Sequence, residues 1–294
     1  MNTDTAKSPR GFYSLPSHLE GDNRRLNQQH EVFRLILSSS LLHTPVSSCF
    51  QGFVLDVGTG TGIWATEFAA EHPNAQVTGI DLFDPLKSAK GVPPNCAFGV
   101  ANAEGSDEEW DSVVPPGSFD LIHTRMFLMI LRDARTVVER IFRALRPGGR
   151  VEFQEKQDPY RSDDPSPEAQ DTPLLRHARL RVEAAARCGL DRAVARLIPM
   201  WMAEIGFEEI EAVEYKIPIG PWMEGEAMKI AGTKYLECLE WGTLGFSKTI
   251  FIKGLGWTEE QVLGNVRGAV NDLGNGKVYS PIMFITGRKP ARSM

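Results

Sequence analysis

Residues 53–64, F-V-L-D-V-G-T-G-T-G-I-W, decide the fold of this chain. A short apolar run ends at Asp56 and Val57, a glycine-rich turn follows, and a helical pattern begins near Ile63. In open α/β sheets, a strand that runs directly into such a turn and helix presents its backbone N–H groups to a nucleotide-like ligand. The stretch therefore predicts the first strand, the binding turn and the first helix of an α/β domain.

The alternation of short apolar runs and helical stretches continues along the chain. Helices are predicted at 63–71, around 137–145 and at 172–204, and strands separated by helices are typical of a doubly wound parallel sheet. The pattern predicts an α/β fold with a Rossmann-like, mostly parallel, seven-stranded sheet. Its strands are expected at 53–57, 76–81, 96–100, 119–124, 150–155, 207–217 and 281–286.

Two further segments flank the predicted sheet. Apolar residues at helical spacing predict an N-terminal helix over 22–42, with Asp22 or Asn23 as its N-cap. An aromatic-rich stretch between the last two strands is too long for a hairpin loop and predicts an inserted helical cap, with helices at 224–240 and 258–273. The expected units are a flexible N-terminus (1–11), an N-terminal helical segment (12–50), the Rossmann-like core (51–156), a helix and strand that complete it (157–220), the cap (221–280), and the last strand with the tail (281–294).

The composition of the 294 residues limits the classes of function. Hydrophobic residues make up 42% and charged residues 24%, which is typical of a globular chain. A formal net charge of -6 disfavours a nucleic-acid partner, because nucleic-acid-binding proteins are usually basic. No apolar run approaches the ~20 residues of a membrane span, and the cysteines lack the spacing of a zinc site. We therefore expect a cytoplasmic protein, or a nuclear one if its role is regulatory, without metal, membrane or nucleic-acid partners.

The spacing of the glycines in the turn distinguishes between ligands. Gly58, Gly60 and Gly62 form G-x-G-x-G, whereas dinucleotide-binding turns favour G-x-G-x-x-G. Asp56, near the end of the first strand, would repel a pyrophosphate but attract a cationic amino-acid moiety. Asp81 ends the second strand, where a carboxylate accepts hydrogen bonds from ribose hydroxyls. Together these residues favour S-adenosylmethionine, an adenosine with an amino-acid tail and no phosphates.

The sequence around this turn resembles the class I S-adenosylmethionine-dependent methyltransferases, and within them the LaeA-like group of fungal enzymes and regulators. The resemblance covers about residues 12–156, and its main motif runs from V-L-D-V-G-T-G-T-G to V-T-G-I-D within 54–81. Shorter matching pieces are Y-S-L-P (13–16), R-L-N-Q-Q-H (25–30), F-D-L-I-H-T-R-M (119–126), R-A-L-R-P-G-G (143–149) and V-E-F-Q-E (151–155).

This resemblance implies which residues would hold the cofactor. Many relatives carry Asp where Asn102 stands, and an amide oxygen accepts a hydrogen bond from the adenine amine more weakly than a carboxylate does. The residues implied are Asp56, Gly58, Gly60 and Gly62 at the methionine part, Asp81 at the ribose, and Leu82, Asn102 and the backbone N–H of Ala103 at the adenine.

Catalysis of methyl transfer rests on alignment, because the cofactor supplies the reactivity. A general base is needed only for acceptors such as a hydroxyl, a phenol or a protonated amine. His123, in the fourth strand, and His30, in the N-terminal helix, are the candidate catalytic residues, and each is also compatible with a structural role. Arg125 is expected to pair with the cofactor carboxylate or an acidic substrate, or with Asp120 or Glu155.

Aromatic and methionine side chains in the cap and after the fourth strand predict an apolar substrate chamber, although each residue alone is also compatible with the core. This chamber favours an uncharged, hydrophobic small-molecule substrate. A homodimer is also compatible with the sequence. The candidate substrate-binding residues are Met126, Trp222, Tyr235 and Trp241.

The sequence therefore predicts a methyltransferase that uses S-adenosylmethionine to methylate a hydrophobic secondary metabolite, in the first instance at oxygen. Three alternatives stay open. One is a LaeA-like regulator that acts in a protein complex. Another is a cyclase that keeps the fold without transferring a methyl group. The third is a nicotinamide-dependent dehydrogenase, which the glycine spacing disfavours.

Overall fold

A computed structural model describes residues 20–291 of the chain, with side chains from Asp22 onward. The predicted flexible N-terminus and the Y-S-L-P piece at 13–16 lie outside the described residues. Within the described range the strands are β1 Phe53–Val57, β2 Gln76–Asp81, β3 Cys96–Val100, β4 Phe119–Arg125, β5 Leu145–Lys156, β6 Arg161–Ser162, β7 Glu208–Pro218 and β8 Val278–Arg288. The α-helices of the same range are α1 Glu20–Ile36, α2 Ile63–Glu71, α3 Asp107–Val113, α4 Ala134–Ala144, α5 Pro167–Gln170, α6 Pro173–Arg187, α7 Ile198–Ile205, α8 Glu226–Leu255 and α9 Glu259–Asn271.

These strands form one mostly parallel sheet, which confirms the predicted fold class. Strands β3, β2, β1, β4 and β5 follow one another in parallel, and β8 lies antiparallel between β5 and β7. The seven predicted strands are all present in the described part of the chain. A two-residue strand that the sequence did not predict, β6, pairs with the first residues of β8.

The sheet order brings the predicted polar residues to one edge. Because β1, β2 and β4 run parallel, their carboxyl ends meet at the same side of the sheet. Asp56 on β1 is in register with His123 on β4, and Asp81 is the last residue of β2. This edge is therefore where the candidate site is built.

Apolar side chains cover both faces of the sheet. On one face Val137, Val138 and Ile141 of α4 pack with Ile198 and Met202 of α7. The helix α2 covers part of the other face, and the helices α1, α6 and α8 share a cluster with β7 and β8. The helical layers on both sides bury the central strands, as a doubly wound sheet requires.

The N-terminal helix differs from its predicted limits. It begins at Glu20, so Asp22 and Asn23 lie inside the helix, and Asp22 forms an ion pair with Arg25 at 2.7 Å. It ends at Ile36, not at residue 42. Residues Ser38 and Ser39 have φ of 53° and 72°, a left-handed conformation that cannot continue a right-handed helix.

The helix predicted over 172–204 is also interrupted. The helix α6 ends at Arg187, and Gly189 follows with φ of 78°. The helical path is broken at this glycine, which adopts positive φ without steric cost, and α7 begins only at Ile198. The predicted end at Gly206 is confirmed, since Gly206 caps α7 with φ of 106°.

The segment between β7 and β8 is helical, as predicted, but its first helix is longer. The helix α8 runs for 30 residues without a break, whereas the sequence predicts a helix only over 224–240. Two of its glycines allow close packing: a Cβ on Gly232 would lie 2.1 Å from the carbonyl oxygen of Gly220, and one on Gly254 would lie 2.2 Å from that of Ala184. Between residues 20 and 291, no helix has both the length and the apolar character that crossing a membrane requires.

Candidate active site

The glycine-rich turn after β1 has the sharp conformation that its sequence predicts. Gly58, Gly60 and Gly62 have φ of 72°, 58° and 77°. The backbone N–H groups of Gly58 and Thr59 donate to the carbonyl oxygen of Ile80, so the turn is fixed against β2. A Cβ on Gly58 would lie 2.4 Å from the ring of Phe127, which leaves no room for a side chain.

Asp81 lies at the end of β2 beside this turn. Its carboxylate accepts hydrogen bonds from the backbone N–H of Gly60 at 2.9 Å and of Phe83 at 3.2 Å. Burial raises the pKa of Asp81, and the backbone N–H groups partly oppose this rise. A partly buried carboxylate that lines a cavity is suited to accept further hydrogen bonds, such as those of ribose hydroxyls.

The loop after β3 is held in place by Arg140 of α4. Its guanidinium donates to the carbonyl oxygens of Ala103 and Gly105, both at 2.6 Å, and pairs with Asp107 at 2.9 Å. The side-chain oxygen of Asn102 accepts a hydrogen bond from the N–H of Glu104 at 3.0 Å. These hydrogen bonds hold the loop at the place where the sequence predicts the adenine.

His123 is buried and has a carboxylate partner. Its Nδ1 lies 2.7 Å from Asp56 Oδ1, and its ring stacks on Trp64 with centroids 3.8 Å apart. The second oxygen of Asp56 accepts a hydrogen bond from Thr59 Oγ1 at 2.6 Å. His123 Nε2 is buried without a hydrogen-bond partner in the described structure. With the ring hydrogen donated to Asp56, Nε2 is left as a proton acceptor.

The structure does not bring His30, a predicted catalytic residue, to the main cavity. Its Nε2 lies 2.9 Å from Glu67 Oε2, and its Nδ1 lies 2.9 Å from Arg125 Nη2. Both ring nitrogens are therefore occupied, and the histidine lines a shallow surface depression instead of the main cavity. His30 is a positioning residue for Arg125, whose guanidinium also lies 4.9 Å from the ring centroid of Phe33.

Glu155 fixes the segment that follows β4. It is fully buried, and one carboxylate oxygen accepts hydrogen bonds from the N–H groups of Phe127 and Leu128, both at 3.0 Å. Burial raises the pKa of Glu155 to about 7. Met126, immediately before this segment, has φ of 56°, so the chain turns sharply as it leaves the sheet. Glu155 therefore stabilises the wall of the site from behind.

One deep cavity joins the strand ends, α1 and α8, and most predicted site residues line it. Its cofactor side is completed by apolar residues that the sequence did not single out, among them Phe83, Trp110 and Leu131. The predicted residues that line it are Asp56, Gly58, Gly60, Asp81, Leu82, Asn102, Ala103, His123, Arg125, Met126 and Tyr235.

Besides His30, three predicted site residues lie away from the cavity wall. A Cβ on Gly62 would meet Phe98 at 2.6 Å, so this glycine serves the turn and its packing and does not line the cavity. Trp222 donates its Nε1–H to the carbonyl oxygen of Val278 and is absent from the cavity wall. Trp241 is 45% exposed and lies under Arg24 on the surface of α8. The structure does not bring these two tryptophans, predicted as substrate-binding residues, to the cavity.

The cavity also contains residues that the sequence analysis missed. Lys156, Tyr160, Arg181 and Arg192 line its inner end, together with apolar residues of α8. A signal for one of them was present, because Arg181 shares a helical stripe with the buried residues Leu174, Ala178 and Ala185. A charged residue on an apolar stripe indicates a buried ionic site. In the described range no group of three or more His, Cys, Asp or Glu side chains could hold a metal ion.

The donor set fits S-adenosylmethionine. The carboxylate of Asp81, the turn at Gly58 and Gly60 and the guanidinium of Arg125 would hold the ribose and the amino-acid part. Apolar residues such as Leu82 would flank the adenine. Burial lowers the pKa of Arg125 to about 10, so its side chain remains cationic at neutral pH and can pair with a carboxylate.

Comparisons with known proteins agree with this geometry. Residues 29–212 match a family model described as a methyltransferase domain. The chain is 30% identical to the probable methyltransferase tdiE of Emericella nidulans, over 98% of this chain and 89% of that protein. It is also 30% identical to the secondary metabolism regulator laeA of Monascus pilosus, over 96% of this chain and 75% of that protein. Among solved structures, the complex that contains the Haloferax volcanii Trm112 methyltransferase activator includes a chain that shares the fold. The TM-score is 0.52 at 12% identity, with coverage of 96% of this chain and 100% of that chain.

Proposed function

Because this chain belongs to the methyltransferase-domain family and is an S-adenosylmethionine-dependent methyltransferase, we propose that it methylates a hydrophobic small molecule, at an oxygen atom, in secondary metabolism. The observation that carries this proposal is the cavity itself. The glycine turn and Asp81, where we place the cofactor, line one part of this cavity. Several residues of α8 line another part of the same cavity and leave space for an acceptor. Donor and acceptor can therefore meet in one water-poor space.

The residues of the chain would position the reactants. Asp81 would accept hydrogen bonds from the ribose, the backbone at Gly58 and Gly60 would lie against the amino-acid part, and Arg125 would pair with its carboxylate. When bound, S-adenosylmethionine supplies an electrophilic methyl group on a sulfonium. His30 and Phe33 would keep the Arg125 guanidinium in place.

A hydroxyl acceptor would also need a group that takes its proton. His123 lines the cavity, and the hydrogen bond of its Nδ1 to Asp56 leaves Nε2 with a free lone pair. We assign His123 as the candidate general base, because the carboxylate would also stabilise the imidazolium that forms. Since Nε2 is buried, an acceptor hydroxyl would have to displace the side chains that cover it. This role applies only to an acceptor that arrives protonated.

The hydrophobic character of the acceptor is supported by the wall of the inner end. Met126 lies at the exit of β4, and α8 contributes Leu239, Phe246 and Ile250. Such side chains stabilise a bound aromatic or aliphatic body by removing its apolar surface from water. A folded protein surface could not enter this end without displacing α8.

The regulators among the relatives support a second candidate, a protein that acts in a complex and has a protein acceptor. An experiment with tritium-labelled methyl on S-adenosylmethionine separates the two. The purified chain is incubated in parallel with a small-molecule extract and with the protein fraction of the same cells, and Asp81→Asn serves as the cofactor-site control. We expect label in the organic-soluble products of the wild type alone.

Label confined to the protein fraction would instead establish a protein acceptor. A substrate that is converted without label and without a change in mass would establish the cyclase alternative. Absence of transfer into either fraction, with extracts that support a known small-molecule methyltransferase, would contradict the proposal.

A further inference from the structure

Three buried cationic side chains surround one carboxylate at the inner end of the cavity. Lys156 Nζ lies 2.7 Å from Asp158 Oδ1, Arg181 Nη2 lies 2.8 Å from the same oxygen, and Arg192 Nε lies 2.7 Å from Oδ2. Lys156, Arg181 and Arg192 all line the cavity, whereas Asp158 lies behind them. We call these three residues the cationic cluster.

The charges of this cluster are not balanced by the protein. The side chains of Lys156, Arg181 and Arg192 are 3%, 1% and 10% exposed, so water solvates them poorly. Among the described residues, Asp158 is the carboxylate that pairs with all three. Burial, followed by Arg181, lowers the pKa of Lys156. Whether the proton resides on Lys156 or on Tyr160, the positive charges of the cluster exceed the negative ones by one. Buried charges without partners are costly, and a bound anion would remove this cost.

The positive charges of the cluster lower the pKa values of two neighbouring side chains, Tyr160 and His177. Arg181 Nη1 lies 3.3 Å from the Tyr160 hydroxyl, and Lys156 Nζ lies 4.1 Å from its ring centroid. Burial alone would raise the pKa of Tyr160, but Arg181 and Lys156 lower it. Burial, followed by Arg181, lowers the pKa of His177 to about 4, so this buried histidine adds no positive charge at neutral pH.

The cluster also has unused hydrogen-bonding capacity. Arg181 Nε is buried without a hydrogen-bond partner in the described structure. Arg192 contacts Asp158 through Nε and is also one of the residues that line the cavity. Guanidinium groups bind carboxylates and other anionic oxygens through paired N–H donors. The cluster therefore offers both the charge and the donors of an anion site.

The position of the cluster places it on the acceptor side of the cavity. Lys156 is the last residue of β5, and two residues earlier Gln154 is in register with Arg125 at the end of β4. Asp81 and the glycine turn lie on the other side of β4, at the ends of β2 and β1. The helix α8 lines the same cavity with Leu239 and Phe246, so charged groups and apolar side chains face one space.

We propose that the cationic cluster binds an anionic oxygen of the acceptor, a carboxylate, phenolate or enolate on a hydrophobic body. The assignment of this ligand as the methyl acceptor rests on the proposed function. The acceptor is then amphipathic, in contrast to the uncharged molecule that the sequence indicated. Its apolar part packs on α8, and its anionic oxygen lies between Lys156, Arg181 and Arg192.

A matched pair of probes tests this subsite. Naphthoate and naphthamide, substituted at the same ring position, have the same apolar body and differ in charge. Each is titrated calorimetrically into the full chain saturated with S-adenosylhomocysteine. We expect the wild type to bind naphthoate about tenfold more tightly than naphthamide, which is the effect of one partly buried charge-assisted contact.

Variants at Arg192 connect this preference to the cluster. Arg192→Gln should reduce the preference for naphthoate over naphthamide about fivefold and leave the affinity for naphthamide unchanged. Arg192→Lys keeps the positive charge and should retain most of this preference. Arg176→Gln removes a positive charge from the exposed face of α6 and is the control for net charge; it should behave as the wild type. Circular dichroism and retained binding of S-adenosylhomocysteine verify that each variant is folded.

The proposal is overturned if the wild type binds naphthoate no more tightly than naphthamide or does not bind it, or if folded Arg192→Gln keeps the full preference. Failure of S-adenosylhomocysteine to bind would contradict the proposed function instead. The probe titrations are therefore repeated without it, so that the anion site is judged independently of the cofactor site.

Discussion

Arg125 Nη2 lies 2.9 Å from Nδ1 of His30, and this contact sets the protonation state of the histidine. A guanidinium can only donate, so Nδ1 must accept, and the ring hydrogen resides on Nε2, which donates to Glu67 at 2.9 Å. The pKa of His30 is lowered, and burial is the largest cause of this shift. A neutral His30 thus orients a cation that faces the cofactor side of the cavity.

Replacement of His30 tests this positioning role. His30→Leu removes the acceptor for Arg125, and we expect it to weaken S-adenosylhomocysteine binding about tenfold, the value of one hydrogen bond to a charged group. His30→Asn keeps an oxygen near the position of Nδ1 and should recover most of the affinity. Calorimetric titration compares the three proteins. If His30→Leu and His30→Asn lose the same affinity for S-adenosylhomocysteine and are equally stable to heat, His30 does not position Arg125.

Substitution of Asn102 tests the adenine side of the site. Its oxygen already accepts from the N–H of Glu104, and a carboxylate in Asn102→Asp could keep that bond while it accepts a stronger one from the adenine amine. We expect a gain of about threefold in affinity for S-adenosylhomocysteine. An unchanged affinity for adenosine and for S-adenosylhomocysteine would show that residue 102 does not contact the base.

The buried carboxyl of Glu155 makes stability depend on pH. Its pKa is raised by burial from 4.5 to about 7, so the folded state holds the proton more tightly than the unfolded state does. The stability that this group contributes is present below pH 4.5 and is lost as pH rises through 7. Glu155→Gln can still accept hydrogen bonds from Phe127 and Leu128, and it does not ionise.

Urea unfolding at several pH values measures this effect. Between about pH 4.5 and pH 8 the wild type should lose roughly 2–4 kcal/mol of unfolding free energy relative to Glu155→Gln, because each pH unit between the two pKa values is worth about 1.4 kcal/mol. Parallel pH profiles of the two proteins would mean that Glu155 is ionised throughout the range.

Two glycines test the packing of the cap. Gly254→Ala would bring a Cβ to 2.2 Å from the carbonyl oxygen of Ala184 and should destabilise the fold by about 1–3 kcal/mol. Gly264 in α9 has open space around its Cα, so Gly264→Ala should stabilise the chain by up to about 1 kcal/mol through helix propensity. Thermal unfolding should show a lower melting temperature for Gly254→Ala and a higher one for Gly264→Ala. A shift in the same direction for both variants would contradict the close contact between α6 and α8.

Much of the fold could be predicted because local signals and tertiary structure agree. The limits of β1, β2, β3 and α2 coincide with the predicted ones, since apolar runs are bounded there by glycine turns and polar loops. The same motif located Asp56 and Asp81 correctly at one edge of the sheet, because parallel strands bring their carboxyl ends together.

The parts that could not be predicted depend on contacts between distant segments. Nothing near Asp158 in the sequence indicates that Arg181 and Arg192, from a helix and the loop after it, converge on its carboxylate. The sequence also does not indicate which aromatic side chains of α8 face the cavity and which face solvent. Tyr235 faces the cavity, whereas Trp241, six positions later and on another side of the helix, faces solvent.

The central claim is that this cavity binds S-adenosylmethionine through the ends of β1 and β2, and calorimetric titration with S-adenosylhomocysteine tests it most directly. The account predicts one saturable site in the wild type and an affinity about 30-fold lower in Asp81→Asn, whose amide cannot replace both carboxylate acceptors. Asp84→Asn, three residues further along the chain, is the control. Its side-chain oxygen can still accept the hydrogen bond from the N–H of Leu86, and the variant should bind S-adenosylhomocysteine as tightly as the wild type. Absence of binding to the wild type, or equal affinity of Asp81→Asn, would contradict the account.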